Sequence, residues 1–212
     1  MKQLMALLIL LSVCSSGFAV TSVPQLQNDW AIANYELQSE EQAEAFERLI
    51  EKASEAVAME PNNAELLIWK AIIQSTYAGK ASGFSALGLV KAARADLEAA
   101  MEIDPMALNG SAYTSLGALY YQVPSWPIAF GSSKKARKLL EKAIEVNPDG
   151  IDSNYFYGAF LVEEKDYASA RLALTKAMEA PARPGRELAD SGRRAEIVKL
   201  LSQLDESQGA SD

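Results

Sequence analysis

Small and apolar residues recur along this 212-residue chain at helical spacing, in a block that appears four times. Ala53, Ala56 and Pro61 set the block, and Ala93, Leu97, Ala100 and Pro105 repeat it. Ala136, Leu140, Ala143 and Pro148 follow, and then Ala170, Leu174 and Ala177 ahead of Pro181. Residues three and four apart share one face of a helix, so each block reads as a helix with a close-packed stripe. The proline then stops it, because its ring cannot continue the helical ladder. Pro61, Pro105 and Pro148 are spaced by 44 and 43 residues, and Pro148 to Ala182 by 34, the signature of an internal repeat of helical units. One helix pair cannot bury its apolar faces alone, so neighbouring pairs have to stack.

The same periodicity places the elements. Residues 20 to 25 read as a linker, and Leu26, Trp30, Ala33 and Leu37 mark a first helix. Ser39 with Gln42 has the form of a capping box, opening a second helix through Phe46, Ile50, Ala53 and Val57. A third helix spans Ala64 to Tyr77, and the stretch Gly79 to Gly88 breaks the pattern before the helix of Ala93 and Ala100. Tyr113, Leu116, Gly117 and Tyr120 share the next helix, followed by the irregular segment Val123 to Ser133 and a helix from Lys134 to Val146. Tyr157, Gly158 and Leu161 precede a turn at Lys165 and Asp166, and Glu187 to Leu204 is a last amphipathic helix with a polar tail at 205 to 212. The expected fold is an all-α solenoid over 26 to 204, with about four helix pairs and a capping helix. Its packing residues are Gly117 against Ala136, Gly158 against Ala170, and Ala93, Ala100, Ala143 and Ala177.

Tyr113-x2-Leu116-Gly117-x2-Tyr120, followed by Ala136, Leu140 and Pro148, resembles the tetratricopeptide repeat pattern. Gly158 through Ala177 matches it again at the standard repeat length, while the first unit is degenerate and the middle two carry insertions of about ten residues. An export signal, few helix pairs, a Leu-Tyr-Tyr-x-x-Pro insertion and the stretch from Asn147 to Leu161 are also similar to the T component of periplasmic TRAP-type transporters. That second resemblance implies an accessory protein acting beside a solute-binding protein. The chain departs from that family in its short length and in lacking a lipobox with a small residue before the cysteine.

The first 19 residues form an address. Lys2, the apolar run Leu4 to Val13 and the small-residue site Gly17-Phe18-Ala19 fit a secretory signal cleaved after Ala19. The run is shorter than the roughly 20 residues of a membrane span. The alternative is a lipoprotein anchored through Cys14, with bulky Val13 before it. Cys14 is the only cysteine and there is no histidine. Cleavage therefore leaves no disulfide, no thiolate nucleophile, no Ser-His-Asp triad and no His or Cys metal site. No paired carboxylates stand at a spacing suited to acid and base work, so we expect no enzyme and no cofactor. A formal charge of −8 without a basic stripe argues against nucleic acid, whose affinity comes largely from phosphate neutralisation.

Four places carry candidate binding chemistry. The insertion Val123 to Gly131 is stiffened by two prolines and holds Trp126 and Phe130, large anchors of the kind found at interface hot spots. They either present a partner site or fold back onto Tyr120 and Tyr121 as local core. Phe84 lies in the other insertion, which lacks the residue order of a phosphate-binding loop. Asn154 and Tyr155 stand on a first helix of a pair, the kind that lines a solenoid's concave face. Arg183, Arg186, Arg193 and Arg194, interleaved with Glu187 and Asp190, read as a solvated helix face in preference to an anion site. The functional expectation is an exported, non-catalytic binding protein engaging a protein or peptide in the cell envelope. The alternative is the transporter accessory role with a small apolar ligand, and an apolar tunnel in place of an open polar groove would favour it.

Overall fold

A computed structural model describes residues 21–81 and 83–209. Cys14 and the cleavage site at Ala19 lie outside them. The described residues form nine helices: α1 Val23–Tyr35, α2 Ser39–Met59, α3 Ala64–Ala78, α4 Gly83–Ile103, α5 Ala107–Gln122, α6 Ser133–Val146, α7 Ile151–Glu163, α8 Tyr167–Glu179 and α9 Glu187–Gly209. They contain no strand beyond an isolated bridge between Ser125 and Gly131. Each helix packs on the next in sequence as far as α9, giving the expected tetratricopeptide-like array of helix pairs.

The repeated stripe is the core. Ala53, Ala56, Ala93, Ala100, Ala136, Ala143, Ala170 and Ala177 are buried, as are Leu97, Leu140 and Leu174. The prolines do what their chemistry requires: α2, α4, α6 and α8 end two residues before Pro61, Pro105, Pro148 and Pro181. Close approach depends on the glycines, with partners one turn away from those expected. A Cβ on Gly117 would lie 2.7 Å from Leu140 Cγ, and one on Gly158 2.8 Å from Leu174 Cγ, so these leucines and not Ala136 or Ala170 meet the glycine first.

Several boundaries shift for local reasons. Helix α1 begins at Val23, inside the expected linker, because Pro24 is tolerated in a first turn where its missing N–H costs no hydrogen bond. Ser39 does not cap α2. It has φ +51, and Gln42 instead donates its side-chain amide to the carbonyls of Ala33 and Leu37, both at 2.8 Å, tying down the end of α1. Gly83 to Gly88, expected as a break, is the first part of a 21-residue α4. Helix α9 continues through the expected tail to Gly209.

The array closes on itself. Helices α1, α3, α5, α7 and α9 contact one another in that order, and α9 returns to α1, so five inner helices form a ring with α2, α4, α6 and α8 outside it. The final helix was expected only to cover the last pair. It also joins both hydrophobic cores: Ala189 belongs to the N-terminal cluster with Leu26, Trp30 and Trp69, and Ile197 and Leu204 to the larger C-terminal one. Gly192 permits the closure, since a Cβ there would sit 2.4 Å from the Tyr35 ring.

Candidate functional site

The ring surrounds a partly open cavity of about 490 Å³, within the size range of small-molecule sites. Trp30, Trp69, Tyr155 and Phe156 form apolar walls, and Ser75, Thr76, Ser111, Thr114, Ser115 and Gln122 add short polar groups. Trp30 Nε1 donates to Thr76 Oγ1 at 3.0 Å, and its ring packs edge-on to Trp69 with centroids 5.8 Å apart. The lining mixes aromatic and hydroxyl groups, so it is neither an apolar tunnel nor an open polar groove.

The start of α5 shapes one wall. Leu108, Asn109 and Gly110 have φ of 50°, 55° and 71° in succession, all in the left-handed region. For Leu108 this costs about 1 to 2 kcal/mol, because its Cβ crowds the following carbonyl. Leu108 packs between the two cores, and both it and Asn109 line the cavity, so packing holds the strained turn where the ring needs a corner.

The arginines expected on a solvated face are instead drawn inward. Arg193 is 9% exposed, and its Nε donates to Asp152 Oδ1 at 2.8 Å while Nη1 donates to Glu196. Its guanidinium lies over the rings of Tyr155 at 4.3 Å and Phe156 at 4.8 Å. Arg183 donates to Asp190 Oδ1 and Asp152 Oδ2, each at 2.7 Å. Burial alone would raise the Asp152 carboxyl, but the Arg193 and Arg183 guanidiniums outweigh it and hold the group at about 2. Arg194 satisfies the Ala180 carbonyl at 2.9 Å. The sequence pattern missed this arrangement because the pairing carboxylate, Asp152, lies 41 residues from Arg193, on α7.

The other candidates separate. Tyr155 faces the cavity, as placed on the first helix of its pair. Asn154 does not: it is buried and donates its amide to the carbonyls of Pro148 at 2.8 Å and Gly150 at 2.9 Å, fastening the turn before α7. In the insertion, Phe130 folds back edge-on to buried Tyr120 at 5.5 Å, beneath the Arg94 guanidinium at 5.1 Å. Tyr121 packs near Phe160 at 5.7 Å, and burial raises its phenol. Trp126 takes the opposite course, standing 85% exposed beside Ile128 at 67%. Its loop is closed by Gly131 N–H donating to Pro124 O at 2.9 Å and Ser132 N–H to Tyr120 O at 2.7 Å. A Cβ on Gly131 would lie 1.9 Å from the Val123 carbonyl oxygen, so only glycine fits the closure. The Phe84 side chain lies outside the described residues.

Among the described residues no cluster of His, Cys, Asp or Glu is arranged to hold a metal ion, and no helix is long and apolar enough to cross a membrane. No protein-family model matches the chain, and no curated protein matches it. Two solved structures of MamA are similar to it. One is 22% identical over 79% of this chain and 91% of that one, with a TM-score of 0.46. The other is 20% identical over 86% and 92%, with a TM-score of 0.45. At these values the likeness says nothing of function, and the helical-repeat architecture rests on this chain's own helix pairs.

Proposed function

We propose that this chain is an exported, non-catalytic binding protein of the cell envelope, released by cleavage after Ala19, and that it docks a protein partner on the Trp126 loop. The observation that carries this reading is Trp126 itself, 85% in solvent on a loop held shut by main-chain hydrogen bonds and a glycine closure. A rigid aromatic anchor loses little entropy on binding, and such residues dominate interface energies. The test is capture of envelope proteins on the full chain and on Trp126→Ala. A stoichiometric partner lost with the variant, at unchanged melting temperature, supports docking there, and equal capture by both chains removes the loop from the interface. Intact mass of the exported protein reads the cleavage in the same preparation, with lipid on Cys14 as the competing outcome.

The closed ring favours a second reading, an accessory component of a TRAP-type transporter that holds a small ligand in the cavity while a solute-binding protein meets its surface. Five helices converge on one cavity of ligand size, an arrangement that a surface scaffold does not need. Neither reading involves nucleic acid or a cofactor.

A further inference from the structure

We infer that the central cavity binds a small organic monocarboxylate with an apolar or aromatic body, and that Arg186 is the residue that receives the carboxylate. The inference rests on the small-ligand reading and assigns that ligand its chemistry.

The three arginines lining the cavity are not equivalent. Arg183 and Arg193 direct their guanidinium groups to Asp152, Asp190 and Glu196. Arg186 has no carboxylate within ion-pair distance among the described residues. Its Nε is buried without a hydrogen-bond partner, while its main-chain N–H donates to Arg183 O at 3.0 Å. Its guanidinium lies over the face of Trp69, 5.0 Å from the ring centroid. A guanidinium carries five N–H donors in a planar fork that matches a carboxylate, and leaving the buried Nε donor unmet away from water is costly. Burial and the neighbouring positive charge of Arg183 disfavour the charge on Arg186 more than the nearby carboxylates of Asp152 and Asp190 favour it, so an anion placed there offsets that deficit.

The surroundings narrow the class. Asp152 and Glu196 line the same cavity, so a second negative charge close to the first meets carboxylates, the other lining cation outside their ion pairs being the exposed Lys80 just after α3. That favours a monoanion over a dicarboxylate or a phosphate dianion. Trp69 holds Arg186 over its face, and Trp30, Tyr155 and Phe156 offer flat walls for the remainder of the molecule. Ser111, Thr114 and Ser115 on α5 are also in the lining, where they can meet a polar substituent.

The test is isothermal titration of the full chain with 4-phenylbutyrate and a panel of aryl and alkyl monocarboxylates of about 8 to 14 non-hydrogen atoms, a size suited to such a cavity. Each acid is paired with its neutral amide, and phenylsuccinate serves as the dianion. We expect at least one acid to saturate, to bind about tenfold or more tighter than its amide, and to exceed the dianion, as one charge-assisted bond would give. Arg186→Gln should lower acid affinity about tenfold and amide affinity by clearly less, with Arg186→Lys recovering part of the acid's loss. The acid and amide comparison uses the unaltered chain, so a variant that fails to fold does not remove the test. Equal binding of acid and amide overturns the role of Arg186 and leaves the cavity as a site for apolar bodies. Tighter binding of phenylsuccinate overturns the monoanion class. Absence of binding across the whole panel overturns this inference and the small-ligand reading together.

Discussion

The inner ring and the α5–α6 loop use the same side-chain type in opposite ways. In the ring, Trp30 and Trp69 are buried, and arginines cover Trp69, Tyr155 and Phe156. On the loop, Trp126 stands in water while Phe130, four residues on, is tucked under Arg94. A large aromatic therefore carries no functional meaning by itself. What decides it is whether the backbone around it is free to fold it back. Two prolines and the tight closure at Gly131 prevent that for Trp126, whereas the helix register of α3 and α7 turns Trp69 and Tyr155 toward the ring.

The ring carries the larger expected effects. Arg193→Ala leaves the Asp152 carboxylate with Arg183 alone and uncovers Tyr155 and Phe156, and should cost about 3 kcal/mol, the lower end for breaking a buried pair. Urea denaturation reads it, and an unchanged midpoint would mean that the ring does not depend on this cluster. Gly117→Leu acts between inner and outer helices by forcing side-chain atoms into Leu140, with an expected loss of about 1 to 3 kcal/mol from overpacking. Thermal melting of that variant indistinguishable from the unaltered chain would refute the packing described for α5 and α6.

Acid sharpens the comparison without a change to the ring's shape. Asp152 has a folded-state pKa of about 2, below the unfolded value of about 3.9. The unfolded chain thus binds the proton first. The contribution of Asp152 is fully present above about pH 4 and is lost as the pH falls toward about 2. In Asp152→Asn this part of the acid dependence should disappear, and a variant that retains the same slope between those values would locate it elsewhere. The smallest stability effect belongs to the loop. Trp126→Ala should alter folding free energy by no more than about 0.5 kcal/mol, as for an exposed side chain, while weakening partner capture by about 2 kcal/mol or more if Trp126 is a hot spot. A large drop in melting temperature would instead class Trp126 with Phe130 as local core.

Much of the fold was legible in the chain. The stripe of Ala93, Leu97 and Ala100 and its copies named the core, because a small residue every three or four positions has one structural use in a helix that must approach another closely. Less of the site was legible. Tyr155 was placed correctly on an inner helix, but its neighbour Asn154 is consumed by the turn carbonyls of Pro148 and Gly150, a detail of local geometry that residue type does not reveal. The two insertions, of similar length in the sequence, also diverge. Most of Gly79 to Gly88 enters α4, where Ala and Leu permit helix, whereas Pro124 and Pro127 keep Val123 to Ser132 out of one.

The helices, their order, their stops at proline and the stripe each buries are written in the chain, since all of these follow from periods of a few residues and from the proline ring. Packing between distant helices brings α9 back to α1, surrounds a cavity with the inner helices, and gives Asp152 to Arg183 and Arg193 while Arg186 is left with the face of Trp69. Ring closure is the sum of small rotations between successive pairs, and charge pairing across 31 and 41 residues exists only once that sum brings α7 and α9 together. Neither leaves a mark at helical period, so the pattern that names the core is silent about what the core surrounds.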